Sequence, residues 1–133
     1  AGAEPGGIVR LFPTAAQLAE AEPADLPLPG ARARALVGAC RAVAEGSIDV
    51  GAPAAELRPA LLALPGIGPW TADYVLLRAC GADDVFLAGD LGIRHALERL
   101  GAGGRPASVT ERARAWAPWR SYATLHLWAS LDA

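Results

Sequence analysis

Leu64-Pro65-Gly66-Ile67-Gly68-Pro69-Trp70-Thr71-Ala72-Asp73-Tyr74 decides how this chain reads, together with Asp90, sixteen residues beyond Tyr74. Gly66 and Gly68 bracket Ile67 in a turn too tight for side chains, since glycine there takes φ > 0 and lets another backbone come close. Pro69 suits a first helical position, and Thr71 falls in the first turn of the helix it opens. Such a helix points free N–H groups back at the turn, which makes a site for an anion such as phosphate. Ahead of the turn, Leu57, Leu61, Leu62 and Leu64 recur at helical spacing. The unit therefore reads helix, hairpin, helix. A Gly-rich turn between two packed helices is the plain alternative for these residues alone.

Working outward, the 133 residues are one domain's worth of chain. The 53% hydrophobic content is inflated by alanine, the best helix former. β-Branched residues are sparse and no period-2 run stands out, so the class is all-α, a compact multi-helix domain. No run of eighteen apolar residues and no charged-then-apolar leader is present, so no membrane association is expected. All twelve basic residues are arginine, and the chain has no lysine and no methionine. That composition is associated with a GC-rich genome, and the missing initiator suggests a processed chain or a piece of a longer one. Residues 1–11 read as a linker, rich in Gly with Pro5.

Along the chain, Thr14 is an N-cap with Gln17 as its capping-box partner, and the helix so begun runs to about Ala21. A longer helix is expected from Ala31 to Glu45, ended by Gly46. The hairpin arms fall at about 54–63 and 69–80, although Pro59 suits the first arm only if the helix starts there. A helix from Asp90 to Leu100, another capped by Ser108 or Thr110, and a last one after Pro118 to about Ser130 complete the set.

Asp90, between Gly89 and Leu91, stands where a helix should begin. Its plain reading is an N-cap; a carboxylate there can fill a chemical role as well. Asp83 and Asp84 read as loop acids in a solvated turn. Arg94 and Arg120 reach a phosphate, support the helix carrying Asp90, or are simply solvated. Trp116 and Trp119 read as core. His95 and His126 have no metal spacing between them, and Cys40 and Cys80 read as buried free thiols.

The string from Leu64 to Tyr74 resembles the helix-hairpin-helix of the base-excision DNA glycosylases, the superfamily with a Gly/Pro-rich loop and a catalytic Asp. Asp84-Val85-Phe86-Leu87-Ala88-Gly89-Asp90-Leu91-Gly92-Ile93-Arg94 looks like the part of that family bearing the Asp. Trp116-Ala117-Pro118-Trp119-Arg120-Ser121-Tyr122-Ala123-Thr124-Leu125-His126-Leu127-Trp128 is similar to the last helix of its 3-methyladenine DNA glycosylase II branch, and Phe12-Pro13-Thr14 matches that branch's entry to its middle helices. The resemblance covers residues 12–133, read as the C-terminal part of the glycosylase domain.

The resemblance implies a monofunctional glycosylase that hydrolyses the N-glycosidic bond of alkylated purines such as 3-methyladenine in double-stranded DNA. Asp90 would be catalytic. Trp70, Tyr74 and Trp128 would line the pocket for an everted base. Gly66, Ile67, Gly68 and Thr71 would meet a DNA phosphate, and the carbonyls of Leu62, Leu64 and Ile67 would hold a monovalent cation. No other cofactor is implied: two cysteines cannot hold an iron–sulfur cluster, and Trp70 stands where lyase relatives carry a Schiff-base lysine. A bacterial, cytoplasmic, nucleoid-associated protein is expected. The net charge of −2 works against DNA affinity. Leu91 departs from relatives with an aromatic after the Asp, which puts pocket width in doubt. The branch's sheet-containing domain and duplex-wedging helices have no counterpart before Phe12. The isolated chain is thus expected to expose apolar surface near 31–45 and 119–130 and to excise little. The alternatives are another glycosylase branch, a non-catalytic helix-hairpin-helix DNA-binding module, or part of a fused alkylation-response protein.

Overall fold

The structure is a computed structural model that describes residues 11–132. The linker expected at 1–11 lies outside the described residues except for Leu11. Among those residues every regular element is helical, in agreement with the all-α expectation. The chain forms two compact units, one from residues 11–48 and 64–66, the other from 49–63 and 67–132.

In the first unit, α1 (Ala15–Ala19) starts at the expected capping box: the Thr14 hydroxyl accepts the Gln17 N–H at 3.2 Å, and the Gln17 side chain accepts the Thr14 N–H at 2.9 Å. A 3-10 turn (Pro23–Asp25) leads to α2 (Gly30–Ala44). Ala33, Val37 and Ala42 of α2 are buried, and Arg41 reaches the Ala19 carbonyl at 3.2 Å. Gly46, at φ +77°, ends α2 as expected. Residues 64–66 pack on α2. Gly66 has φ +81°, and a Cβ there would stand 2.8 Å from the Ala35 Cβ, so glycine is required both by conformation and by space.

The second unit holds α3 (Ala54–Leu62), α4 (Pro69–Arg78), α5 (Leu91–Arg99), α6 (Pro106–Arg114) and α7 (Arg120–Ala129). α3 begins at Ala54, as the expected first arm does, and not at Pro59. The proline costs one helical hydrogen bond, to Ala55, while Leu57 and Leu61 bury almost completely (1% and 5% exposed). One boundary differs from expectation. α6 begins at Pro106, not at a Ser108 or Thr110 cap, because proline is preorganised for a first helical position; the Ser108 hydroxyl donates instead to the Arg105 carbonyl at 2.8 Å. Arg58 on α3 and Asp73 on α4 pair at 2.6 Å and 3.2 Å, joining the hairpin's two arms.

The loop that leads to Asp90 is fastened to α7. The Ser121 hydroxyl accepts the Val85 N–H at 2.9 Å and donates to the Ala82 carbonyl, while the Ser121 N–H donates to the Asp83 carbonyl at 3.0 Å. Asp84 takes Arg120 in a two-pronged pair at 2.6 and 2.7 Å and also accepts the Arg120 N–H at 3.3 Å. The guanidinium holds the Asp84 carboxyl below its usual value. Asp83 is an exposed turn acid, as expected, that accepts the Tyr122 hydroxyl at 3.2 Å; Asp84 lies in the same turn but is half-buried in its pair with Arg120. Arg120 is occupied in the same way.

Trp119 is not core. It is 58% exposed at the start of α7, edge-on to Tyr122 at 5.8 Å. Trp116 is half-buried against Phe86. The apolar exposure expected over 119–130 appears at Trp119, Tyr122 and Leu125; no large apolar residue of α2 is exposed to that degree. Cys40 and Cys80 are free and only half-buried, with burial pushing both thiols up. Among the described residues no helix is long and apolar enough to cross a membrane.

Candidate active site

Three helices of the second unit build the site. The first is α4. Gly68 caps it in an extended conformation (φ −93°, ψ 173°), and Pro69 occupies the first position. Trp70 and Tyr74, one turn apart, therefore share a face. Their rings stack at 5.0 Å and 17°, and both remain exposed, 46% and 37%.

The second is α5, which begins at Asp90 because its carboxylate caps the helix: Oδ1 accepts the Ile93 N–H at 3.0 Å. The cap reading of Asp90 therefore holds, and it does not exhaust the side chain. Trp70 Nε1 donates to Oδ2 at 2.9 Å, and Trp128 Nε1, from α7, donates to Oδ1 at 3.0 Å. The Trp128 ring also lies 6.1 Å from Tyr74 at 49°. Asp90, Trp70, Tyr74 and Trp128, separated by up to 58 positions in the sequence, thus meet in one place.

Burial pushes the Asp90 carboxyl upward, but N–H donors from Trp128, Ile93, Trp70 and Gly92 outweigh it and hold the group below its ordinary value. It is a fixed anion at neutral pH, set beside an aromatic wall. Gly92 makes the close approach feasible. A Cβ there would lie 3.1 Å from Asp90 Oδ1, 3.3 Å from Trp128 Cδ1 and 3.4 Å from Leu131 Cδ1.

At the hairpin, the backbone N–H groups of Ile67, Gly68, Trp70 and Thr71 donate to no acceptor among the described residues. The expectation that both glycines need φ > 0 is corrected. Gly68 has ordinary extended backbone, and a Cβ there would meet nothing within 4 Å. Only Gly66 is constrained from within.

Other singled-out residues lie elsewhere. Arg94 Nε donates to the Gly104 carbonyl at 2.9 Å. His95 and His126 are exposed, and among the described residues no group of three His, Cys, Asp or Glu could hold a metal. Leu91, next to Asp90, is 62% exposed. Sequence reasoning missed the indole donors, the Gly92 floor and the Ser121 latch. Only Gly92 left a local signal, a glycine inside the first turn of a helix where alanine would be favoured.

No family model matches the chain. Among curated proteins it is 42% identical over 129 residues to a "Probable bifunctional transcriptional activator/DNA repair enzyme AlkA" of Mycobacterium tuberculosis, covering 96% of this chain and 26% of that protein. It is 40% identical over 122 residues to "DNA-3-methyladenine glycosylase 2" of Escherichia coli, covering 88% of this chain and 42% of that one. Among solved structures it is similar to a DNA-3-methyladenine glycosidase from Bacillus halodurans, with a TM-score of 0.71 and 26% identity over 90% of this chain and 59% of that chain. The chain therefore spans well under half the length of these two curated relatives.

Proposed function

We propose, for a chain that belongs by sequence and fold with the 3-methyladenine DNA glycosylase II branch, that it carries the catalytic carboxylate and DNA-gripping hairpin of a glycosylase acting on alkylated purines. One observation carries this reading: the Asp90 carboxylate is pinned in its ionised form by two indoles at the edge of an exposed aromatic wall.

The chemistry follows from that arrangement. As the C1′–N bond of an everted nucleotide breaks, its electron pair leaves with the base and positive charge grows on the sugar. A preorganised anion stabilises that charge where it forms, and water then adds to C1′ as it gives up a proton to Asp90 or to solvent. Trp70, Tyr74 and Trp128 are the wall for the base. An N-alkylated purine is cationic, so an electron-rich ring attracts it by about 0.5–2 kcal/mol, and it leaves as a neutral base. The chain contains no lysine, so none of its side chains offers an amine for a Schiff base, and the product would be an intact strand with an abasic site.

The unpaired amides of Ile67, Gly68 and Thr71, with Gly66 setting the turn, would meet a phosphate of double-stranded DNA. The carbonyls of Leu62, Leu64 and Ile67 accept no backbone hydrogen bond among the described residues. They are oxygen donors of the kind a monovalent cation takes, and such an ion would stiffen the hairpin. The setting would be bacterial DNA repair in the cytoplasm. The name and length of the mycobacterial relative favour one further reading, that this segment serves within a longer protein that also regulates transcription.

The test is Asp90→Asn in the full-length protein on duplex DNA carrying 3-methyladenine. Helix capping and DNA affinity should persist, because Asn also caps, while excision should fall by at least tenfold. Undiminished excision by this variant, or a nicked strand with a borohydride-trapped adduct, would refute the assignment.

A further inference from the structure

The two oxygens of Asp90 are not equivalent. Oδ1 accepts both the Ile93 N–H and the Trp128 indole N–H, each at 3.0 Å. The Gly92 backbone also faces Oδ1, since a Cβ there would lie 3.1 Å from it, and Oδ2 accepts the Trp70 indole, at 2.9 Å. A carboxylate oxygen has about two lone-pair sites, so Oδ1 is filled and Oδ2 keeps one free. The two indoles come from different helices, α4 and α7, and grip opposite oxygens. Trp70 is itself held by its stack on Tyr74 (5.0 Å), and Trp128 by close packing on Gly92. A carboxylate on a helix cap can otherwise rotate about its Cβ–Cγ bond.

We propose that Trp70 and Trp128 are positioning residues for the reaction, their indole N–H groups locking the Asp90 carboxylate at one rotation so that Oδ2 is the oxygen presented to the sugar. This rests on the glycosylase reading above but assigns the two tryptophans a task separate from stacking against a base. Stacking uses the ring face, whereas positioning uses the N–H at its edge, so the two can be separated chemically.

Other charged groups on the packed elements do not reach the carboxylate. On α4 Asp73 is paired with Arg58, on α5 Arg94 is turned to the Gly104 carbonyl, and His95 and His126 are exposed with no bond to Asp90. The acid limb of a rate profile would therefore report Asp90 itself.

The experiment replaces Trp70, and separately Trp128, by β-(3-benzothienyl)alanine in the full-length protein. This residue keeps the bicyclic ring and removes the N–H. Single-turnover excision of 3-methyladenine from duplex DNA is followed against pH, together with duplex affinity. A charge-assisted hydrogen bond lost from the reacting group should lower the rate about tenfold with affinity unchanged, and should move the acid limb up by about one pH unit, because an N–H donor favours the charged carboxylate. The Trp70 analogue should lose more, since Oδ1 keeps the Ile93 N–H when Trp128 is replaced. Rates and profiles equal to the parent's would overturn the proposal, and a loss confined to the Trp128 analogue would overturn the choice of Oδ2. If the parent protein excises no alkylated purine, the function above fails while this inference keeps its own readout. Titration of a ¹³C-labelled Asp90 carboxyl must then move upward in both analogues, and an unmoved titration would sink it.

Discussion

Gly92→Ala separates the stability of the fold from the geometry of its site. The added methyl would lie 3.1 Å from Asp90 Oδ1, 3.3 Å from Trp128 Cδ1 and 3.4 Å from Leu131 Cδ1. These contacts are a few tenths of an ångström too close, so something gives. Trp128 and Leu131 are only half-buried side chains and can yield, at a cost of about 1 kcal/mol for mild overpacking. Alanine in a helix regains up to about 1 kcal/mol over glycine. Unfolding by denaturant should therefore place the variant within about 1 kcal/mol of the parent. The site has no such compensation. Pushing the indole back stretches its 3.0 Å bond to Asp90 and displaces the carboxylate that it holds. Excision should drop about tenfold, since misplacement of 1 Å already costs about a hundredfold. Gly89→Ala is the control: it adds a methyl just before Asp90 that meets nothing within 4 Å, and it should change neither quantity. Full excision by Gly92→Ala, or an equal loss in Gly89→Ala, would refute the reasoning.

The two hairpin glycines should part company. Gly66→Ala is strained at φ +81° and collides with Ala35, so it should lower the melting temperature, whereas Gly68→Ala should fold normally and weaken binding to all duplex sequences alike; sequence-selective loss would contradict a phosphate contact. Ser121→Ala strands the Val85 N–H and should cost about 1–3 kcal/mol in denaturant unfolding, and an unchanged midpoint would show that the latch is idle. The Asp90 carboxyl is held below its unfolded value, so its stabilisation is fully present above about pH 4 and is lost as pH falls through the folded value. Asp90→Asn should accordingly flatten the fall of stability below about pH 4, and an acid unfolding curve parallel to the parent's would count against the bonded anion.

Features written within one helical turn were legible in the sequence. The Thr14 and Gln17 capping box, the Gly46 stop, the Pro69 start and the Trp70–Tyr74 face each depend on residues no more than four apart, where backbone geometry fixes who meets whom. Asp90 as a helix start belongs with them. Pro59 left a later start of the first arm open because its local cost was read without the burial of Leu57 and Leu61 that outweighs it. Trp119 misled because a large aromatic was assumed to be inside, whereas its place before the first turn of α7 leaves it outside.

By itself the sequence determined a helical chain, a glycine-bracketed hairpin, and a short roster of aromatics and acids near it; that only Gly66 of the two bracketing glycines is left-handed came from the structure. The tertiary structure alone decided what those acids are bonded to. Asp90 receives its indole donors from 20 and 38 positions away, and the loop before it is latched to Ser121 and Arg120 across 36. Those distances are closed by the packing of α4, α5 and α7, and neither helical periodicity nor turn chemistry carries that information. An N-cap aspartate is local information, whereas the indole edges that the packing brings to Asp90 are not, and those edges hold it as an anion.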